Sequence, residues 1–279
     1  MVLDHWEVLT VKKVIIQKAA ADIKSSIREL VQELGGFENF VHAGETVLIK
    51  PNYNTADASP ASTAPDFLKA VVELCFAAGA GKVIIGESST YTITNHSVST
   101  QKILCAACVY DLEKSSPPPD IYIFDDHEWI TKDIPGAKYL KKVSVPKIMD
   151  EVDKIILLPC CKTHLIAQYT GALKIIVGFM KPNERIRFHL GNKVPEKVAE
   201  MNMLYKPDLI IMDARKCFIN GGPAKGEMRE PGLILTSESR VAIDIEEIKI
   251  IQAYEGNSLA GQKPEELRQI RYARKLGIE

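Results

Sequence analysis

The chain has 279 residues, a net charge of −1, 46% apolar residues and 25% charged residues, the composition of a globular protein long enough to bury a substantial core. It excludes a protein that coats polyanions, because sequence-independent nucleic-acid binding needs a broad basic surface. No apolar run approaches the roughly 20 residues that span a bilayer, and the opening MVLDHWEVLT lacks the basic start and long apolar stretch of a signal peptide, so no membrane is expected and the cytoplasm is the expected compartment.

In chain order, EVLTVKKVII (7–16) is rich in β-branched residues and predicts a strand, and AAADIKSSIRELVQELGG (19–36) predicts an amphipathic helix with a glycine stop. GETVLIKPNYN (44–54) predicts an apolar strand running into a polar loop. TAPDFLKAVVELCFAAGAG (63–81) predicts a helix with Thr63 as N-cap and Pro65 in its first turn. KVIIGESS (82–89) is the next strand, followed by a Ser/Thr-rich loop to residue 100, a helix to about 113, and the stiff linker SSPPPD (115–120). IYIFD (121–125), VDKIILLP (152–159), PDLIIMDA (207–214) and GLILTSES (232–239) predict further strands. Helices are expected near 240–253 and 264–276, the second as an exposed, charged terminal helix. Strands separated by helices imply an α/β fold, a mostly parallel sheet with helices on both faces. Residues 1–279 then form a single domain with its core over 45–255, either as one body or as two lobes with a cleft between 1–150 and 151–279.

Ligands of open α/β sheets bind beyond the carboxyl ends of the strands. The polar loops there are Lys50 through Asn54, Glu87 through Thr90, Asp125-Asp126-His127, Pro159 through His164, and Asp213 onward. The stretch CCKTHLIAQYTGALKIIVGFMKPNERIRFHL (160–190) crowds Lys162, Lys174, Lys181, Arg185, Arg187 and two histidines against one acid, Glu184. Gly171 and Ala172 leave room beside Lys174 for a ligand. Partial burial and neighbouring cations would lower the pKa of Lys174, which suits a nucleophile or acid/base. Simple pairing with an anion is the other reading. Thr170 is a candidate N-cap for a helix opening at Gly171, whose N-terminus, with Lys162 and Thr163, would receive an anion. Lys50 and Asn52 would reach the same anion, while His164 and Glu87 would move protons. Gly221 and Gly222 offer backbone amides to an anion, or form a plain turn. Asp213 reads as a loop-holding acid and Asp244 as a paired, partly buried one.

Six cysteines are too few and too scattered for a disulfide framework. Cys105 and Cys108 lie in a helical pattern with Ile103, Leu104 and Leu112, so they read as buried core. Cys160 and Cys161, if extended, point to opposite faces; with His164 and His189 they are the candidate metal ligands. GxGxxG, GxxxxGK[ST] and GxSxG do not occur.

IILLPCCKTH followed by TGALKIIVG resembles the domain-of-unknown-function family 362, whose members carry Pro-Lys-x-Lys-Thr-His and Thr-Gly-x-x-Lys-Asn stretches. VLIKPN with FLKAVVELCFAAGAGKVIIGESS is similar to the family's opening strand–helix–strand, and INGGPAKGE with LILTSESRVAID to its closing elements, so the resemblance covers about residues 45–250. Cys160 replaces the usual first lysine, Ile175 the usual asparagine, and Ser-Glu-Ser-Arg (237–240) departs from the common Asp-Pro form. The ferredoxin-like CxxCxxCxxxC of many relatives does not occur. The residues point to an enzyme acting on an anionic small molecule or anionic cofactor. The resemblance supplies a fold and a candidate site, and the family's ferredoxin association implies a redox link through a ferredoxin-type partner. The alternative is a non-catalytic accessory protein that binds or delivers a metal ion or an iron–sulfur cluster; either is compatible with a homo-oligomer. The spacing of His164, Lys174 and His189 is also similar to that of nickel-pincer lactate racemases, in which the lysine attaches the cofactor and a histidine ligates nickel, implying an isomerase-like role.

Overall fold

A computed structural model describes residues 13–89 and 96–279. β1 (Ile15–Lys18) leads into α1 (Ile23–Gln32), whose first turn is capped by the Asp22 carboxylate accepting from Lys24 N. β2 (Thr46–Lys50), α2 (Pro65–Ala77), β3 (Lys82–Glu87), α3 (His96–Ala106) and β4 (Asp120–Ile123) follow. β5 (Trp129–Asp133) and β6 (Lys142–Pro146) make a small antiparallel sheet of their own. β7 (Lys154–Leu157) runs through Pro159 into β8 (Cys160–His164), which turns back as β9 (Gln168–Tyr169). Three short helices come next: α4 (Gly171–Ile175), α5 (Pro182–His189) and α6 (Val194–Met201). The chain ends with β10 (Leu209–Gly221), β11 (Gly226–Arg229), β12 (Leu233–Ser237), α7 (Arg240–Gln252) and α8 (Arg268–Lys275).

The main sheet has the order β1-β12-β10-β7-β2-β3-β4. It is parallel from β10 to β4, and antiparallel where β12 joins β10 and β1. Alternation along each strand splits the apolar residues between two cores. Val47 and Ile49 face one with Val83, Ile85 and Ile156, while Leu48, Ile84, Ile155 and Leu157 face the other. The first core is covered by α1 and α2 through Ile27, Leu30, Phe67 and Val71. The second is covered by α4, α6, α7 and α8 through Leu173, Val198, Ile248 and Ile270. This is the expected α/β fold, mostly parallel with helices on both faces. β7, from the second half of the chain, lies between β2 and β10, so one sheet passes through both halves.

Several local expectations are corrected. The helix expected to reach residue 113 stops at Ala106, and a 3-10 segment occupies Val109–Lys114. Cys108 sits at φ 56°, in left-handed backbone that breaks the helical spacing. Cys105 and Cys108 are therefore exposed, and Leu104, Val109 and Leu112 supply the buried contacts instead. The terminal helix is not wholly solvated either. Gln269, Ile270 and Ala273 are buried, and Arg268 grips Glu196 on α6 with Nη2 2.8 Å from Oε1. The strand expected at 7–16 begins at Ile15 within the described residues; residues 7–12 and most of the Ser/Thr-rich loop lie outside them. Among the described residues no helix is long and apolar enough to cross a membrane.

Candidate functional site

Adjacent parallel strands β2 and β3 end on Lys50 and Glu87, so an ammonium and a carboxylate emerge side by side at the carboxyl edge of the sheet. Lys50 Nζ lies 2.6 Å from Glu87 Oε1 and 2.7 Å from the Pro51 carbonyl, with both side chains buried. Oε1 also accepts from Ser88 N at 2.9 Å, and Oε2 accepts from Tyr53 N at 2.9 Å. Burial lowers the Lys50 pKa, opposed by the adjoining Glu87 charge. Glu87 is thus an anchor that ties two strand-end loops together. Gly178 makes the pair possible, because a Cβ there would stand 2.6 Å from Lys50 Cε.

β8 supplies the second side. Alternation puts Cys160, Lys162 and His164 on one face and Cys161 and Thr163 on the other. Lys162 is buried; its Nζ donates to the Ala61 carbonyl and, at 3.5 Å, to Asn52 Oδ1. His164 Nδ1 accepts from the backbone N–H groups of Ile166 (3.1 Å) and Ala167 (3.2 Å). Two donors on Nδ1 assign the neutral ring's proton to Nε2. Burial, then the charges of Lys174, His189 and Lys162, push the His164 pKa down to about 2. A neutral imidazole with a fixed Nε2–H is a hydrogen-bond donor. To ligate a metal through Nε2 it would have to shed that proton, so this residue does not fit the histidine of a nickel site.

α4 and α5 complete the enclosure. Lys174 lines a cleft of about 440 Å³ together with Lys50, Lys162, His164, Arg185 and His189. Among the described residues no acceptor lies within hydrogen-bond or ion-pair distance of its Nζ. Burial, with Lys162 and Arg185 as like-charged neighbours, brings its pKa down to about 7. Arg185 is held by backbone carbonyls: Nε on Met180 (3.0 Å), Nη1 on Ser88 (2.9 Å) and Ser89 (3.2 Å), Nη2 on Gly178 (3.1 Å). His189 Nδ1 bonds the Arg185 carbonyl at 2.7 Å, and burial lowers its pKa too. The lining thus carries four cations, Lys50, Lys162, Lys174 and Arg185, against one carboxylate, Glu87.

The expected helix-terminus anion site is already filled. Thr170 makes no capping hydrogen bond, and its buried hydroxyl has no partner. The Asp244 carboxylate of α7 caps α4 instead, accepting from Ala172 N at 2.5 Å and Leu173 N at 3.0 Å. Beside it Glu247 Oε1 accepts from Lys162 N at 2.9 Å. Burial raises Asp244 to about 7, and burial with the neighbouring Asp244 charge raises Glu247 well above an ordinary carboxyl. Gly171, at φ 53°, admits both acids, because a Cβ there would run into the Asp244 and Glu247 carboxylates. The Gly-Gly turn is likewise committed. Gly221 N donates to Asn220 Oδ1 and Gly222 N to the Lys225 carbonyl, leaving Pro223 as the part of the turn that lines the cleft.

Of the proposed metal ligands His164 and His189 share the cleft, but the two cysteines do not join them as a set. Cys160 Sγ lies 4.0 Å from Thr63 Oγ1, and burial raises this thiol to about 11, away from the thiolate a metal needs. Cys161 lies on the opposite face of β8, in the core with Cys217. Among the described residues no three His, Cys, Asp or Glu side chains form a metal-holding group. Sequence reasoning named Arg185 among the crowded charges but gave it no role. The spacing of Arg185 and Phe188, both buried on α5, was the available signal. Tyr53 and Ser88, inside the strand-end loops expected at the binding edge, also line the cleft, as do Ile186 and Leu190, which carried no signal of their own.

A sequence profile described as a domain of unknown function (DUF362) matches residues 47–247, well over half of the 279 residues. The chain belongs to the DUF362 family. Every residue lining the cleft falls within the DUF362 match. The chain is 28% identical over 240 residues to a thylakoid-associated protein of Synechocystis sp., a match covering 84% of this chain and 71% of that one. Among solved structures it is similar to a Thermotoga maritima protein (TM-score 0.47, 12% identity, 77% of this chain and 55% of that one). A second is the lactate racemase apoprotein of Thermoanaerobacterium thermosaccharolyticum (TM-score 0.43, 13% identity, 73% and 50%). The chain therefore spans about half the length of these two solved structures.

Proposed function

We propose that this DUF362 protein is an enzyme whose cleft binds an anionic small molecule, with Lys174 as the working group. The observation that carries the reading is the unpartnered Lys174 ammonium in a cleft where cations outnumber carboxylates. A half-buried cation without a counter-charge is disfavoured, and a carboxylate or phosphate beside Lys174 removes that cost. Lys162 and the His164 Nε2–H supply further donors to such an anion. With a pKa of about 7, Lys174 can meet an anion as ammonium or accept a proton from it as amine at neutral pH. Lys50 and Glu87 neutralise each other and Arg185 is spent on backbone carbonyls, so these three shape the cleft. The proton-moving role expected of His164 and Glu87 passes to Lys174.

The test is calorimetric titration of the full chain with inorganic phosphate and with short carboxylates. Saturable binding is expected, with proton uptake at neutral to mildly alkaline pH as Lys174 is recharged, read from buffers of different ionisation enthalpy. Lys174→Ala should abolish both. Binding that survives the substitution, or that takes up no proton, defeats the assignment.

A further inference from the structure

The cleft is chemically mixed. Besides Lys162, His164 and Lys174, its lining includes Ile175, Val177, Ile186 and Leu190. Ile175 and Val177 are buried, whereas Ile186 is 44% and Leu190 63% exposed. Ile186 lies on α5 and Leu190 is the residue that ends it. The turn after His164 adds Leu165, 81% exposed, and Ile166, 58% exposed, beside a residue that lines the cleft. These four account for more than half of the large apolar side chains exposed among the described residues. Isolated exposed apolar residues need no explanation, but a concentration at the mouth of a concave site does. Buried and exposed apolar residues thus line the same cleft as the cations, which suits one ligand that touches both.

We propose that the cleft takes an amphiphilic anion in monomeric form, its carboxylate or phosphate head on Lys174, Lys162 and His164 and its alkyl chain leaving over Ile175, Val177, Ile186 and Leu190. This rests on the anion-binding reading above and adds the substrate class. The cations select the head, and Ile186 and Leu190 cover the chain.

The experiment titrates the full-length protein with methyl, butyl and octyl phosphate, each below its critical micelle concentration. Affinity is expected to rise about two- to fourfold per added methylene, the upper value being that of a fully buried one. An Ile186→Ser/Leu190→Ser double variant should flatten this dependence, weakening octyl phosphate far more than methyl phosphate. Both side chains are exposed, so the fold is expected to persist, checked by circular dichroism. Equal affinity across the series, or a slope that the double variant keeps, overturns the proposal and leaves the anion reading standing. A slope that survives Lys174→Ala with undiminished affinity sinks the anion reading instead. Binding to vesicles bearing an anionic lipid, with no binding of monomeric octyl phosphate, makes the rim a membrane contact and also overturns the proposal.

Discussion

Replacing Lys174 by methionine is expected to remove anion binding and yet to stabilise the protein near neutral pH. Methionine keeps the length and apolar stem of the side chain while discarding an ammonium that burial, Lys162 and Arg185 disfavour. The folded value of about 7 against the ordinary 10.5 corresponds to a cost of about 4 kcal/mol at pH 7. Solvent reaching Lys174 through the open cleft reduces this to about 2–3 kcal/mol. Below the folded pKa both states carry the proton, and the penalty is complete. Above it the unfolded chain binds more protons than the folded one, so the penalty fades as pH rises toward 10.5. Urea unfolding of both proteins would show the variant ahead at about pH 7, the difference shrinking by a third or more by about pH 9. A variant no more stable than the parent, or a difference independent of pH, would refute the account of Lys174 as an uncompensated, half-buried cation. Added phosphate should raise the stability of the parent alone.

Glu87→Gln strands Lys50 in a buried site without its counter-charge, and a loss of about 3–5 kcal/mol is expected by chemical denaturation; Lys50→Met in the same chain should restore part of it. Gly171→Ala combines left-handed backbone with a collision against the Asp244 and Glu247 carboxylates, so a loss above about 3 kcal/mol in unfolding free energy is expected. His164 stays neutral in the folded state while the unfolded ring charges below its ordinary pKa of 6.5. Stability should therefore fall with acid below that value, by about 2 kcal/mol at about pH 5 from this residue, and His164→Gln should blunt the fall. Nitrogen-15 chemical shifts of the ring at neutral pH should show an unprotonated Nδ1.

The strands at the sheet centre were readable because a run such as VLIK or VIIG must be buried on both faces to persist in water. The same pattern put Lys50 and Glu87 at strand ends, and the CCKTH and TGALK segments stood out as a candidate site before any fold was known. The strands β5 and β6 and the helices α5 and α6 were missed. They are short, and WITKD or PNERIRFH holds too few apolar residues to show a period. The CAAC segment misled because helical spacing of apolar residues does not reveal where a left-handed residue ends the helix.

Local periodicity thus decided strand and helix, and with them which polar residues stand at the sheet's carboxyl edge, since burial of alternate residues is a property of neighbours along the chain. Pairing was decided by the tertiary fold alone. Asp244 lies more than 70 residues from the α4 amides it caps, and Glu87 lies 37 from Lys50. Sequence spacing holds no record of which carboxylate reaches which cation. That pairing leaves Lys50 neutralised and, among the described residues, Lys174 without an acid, so only the fold could tell these two lysines apart.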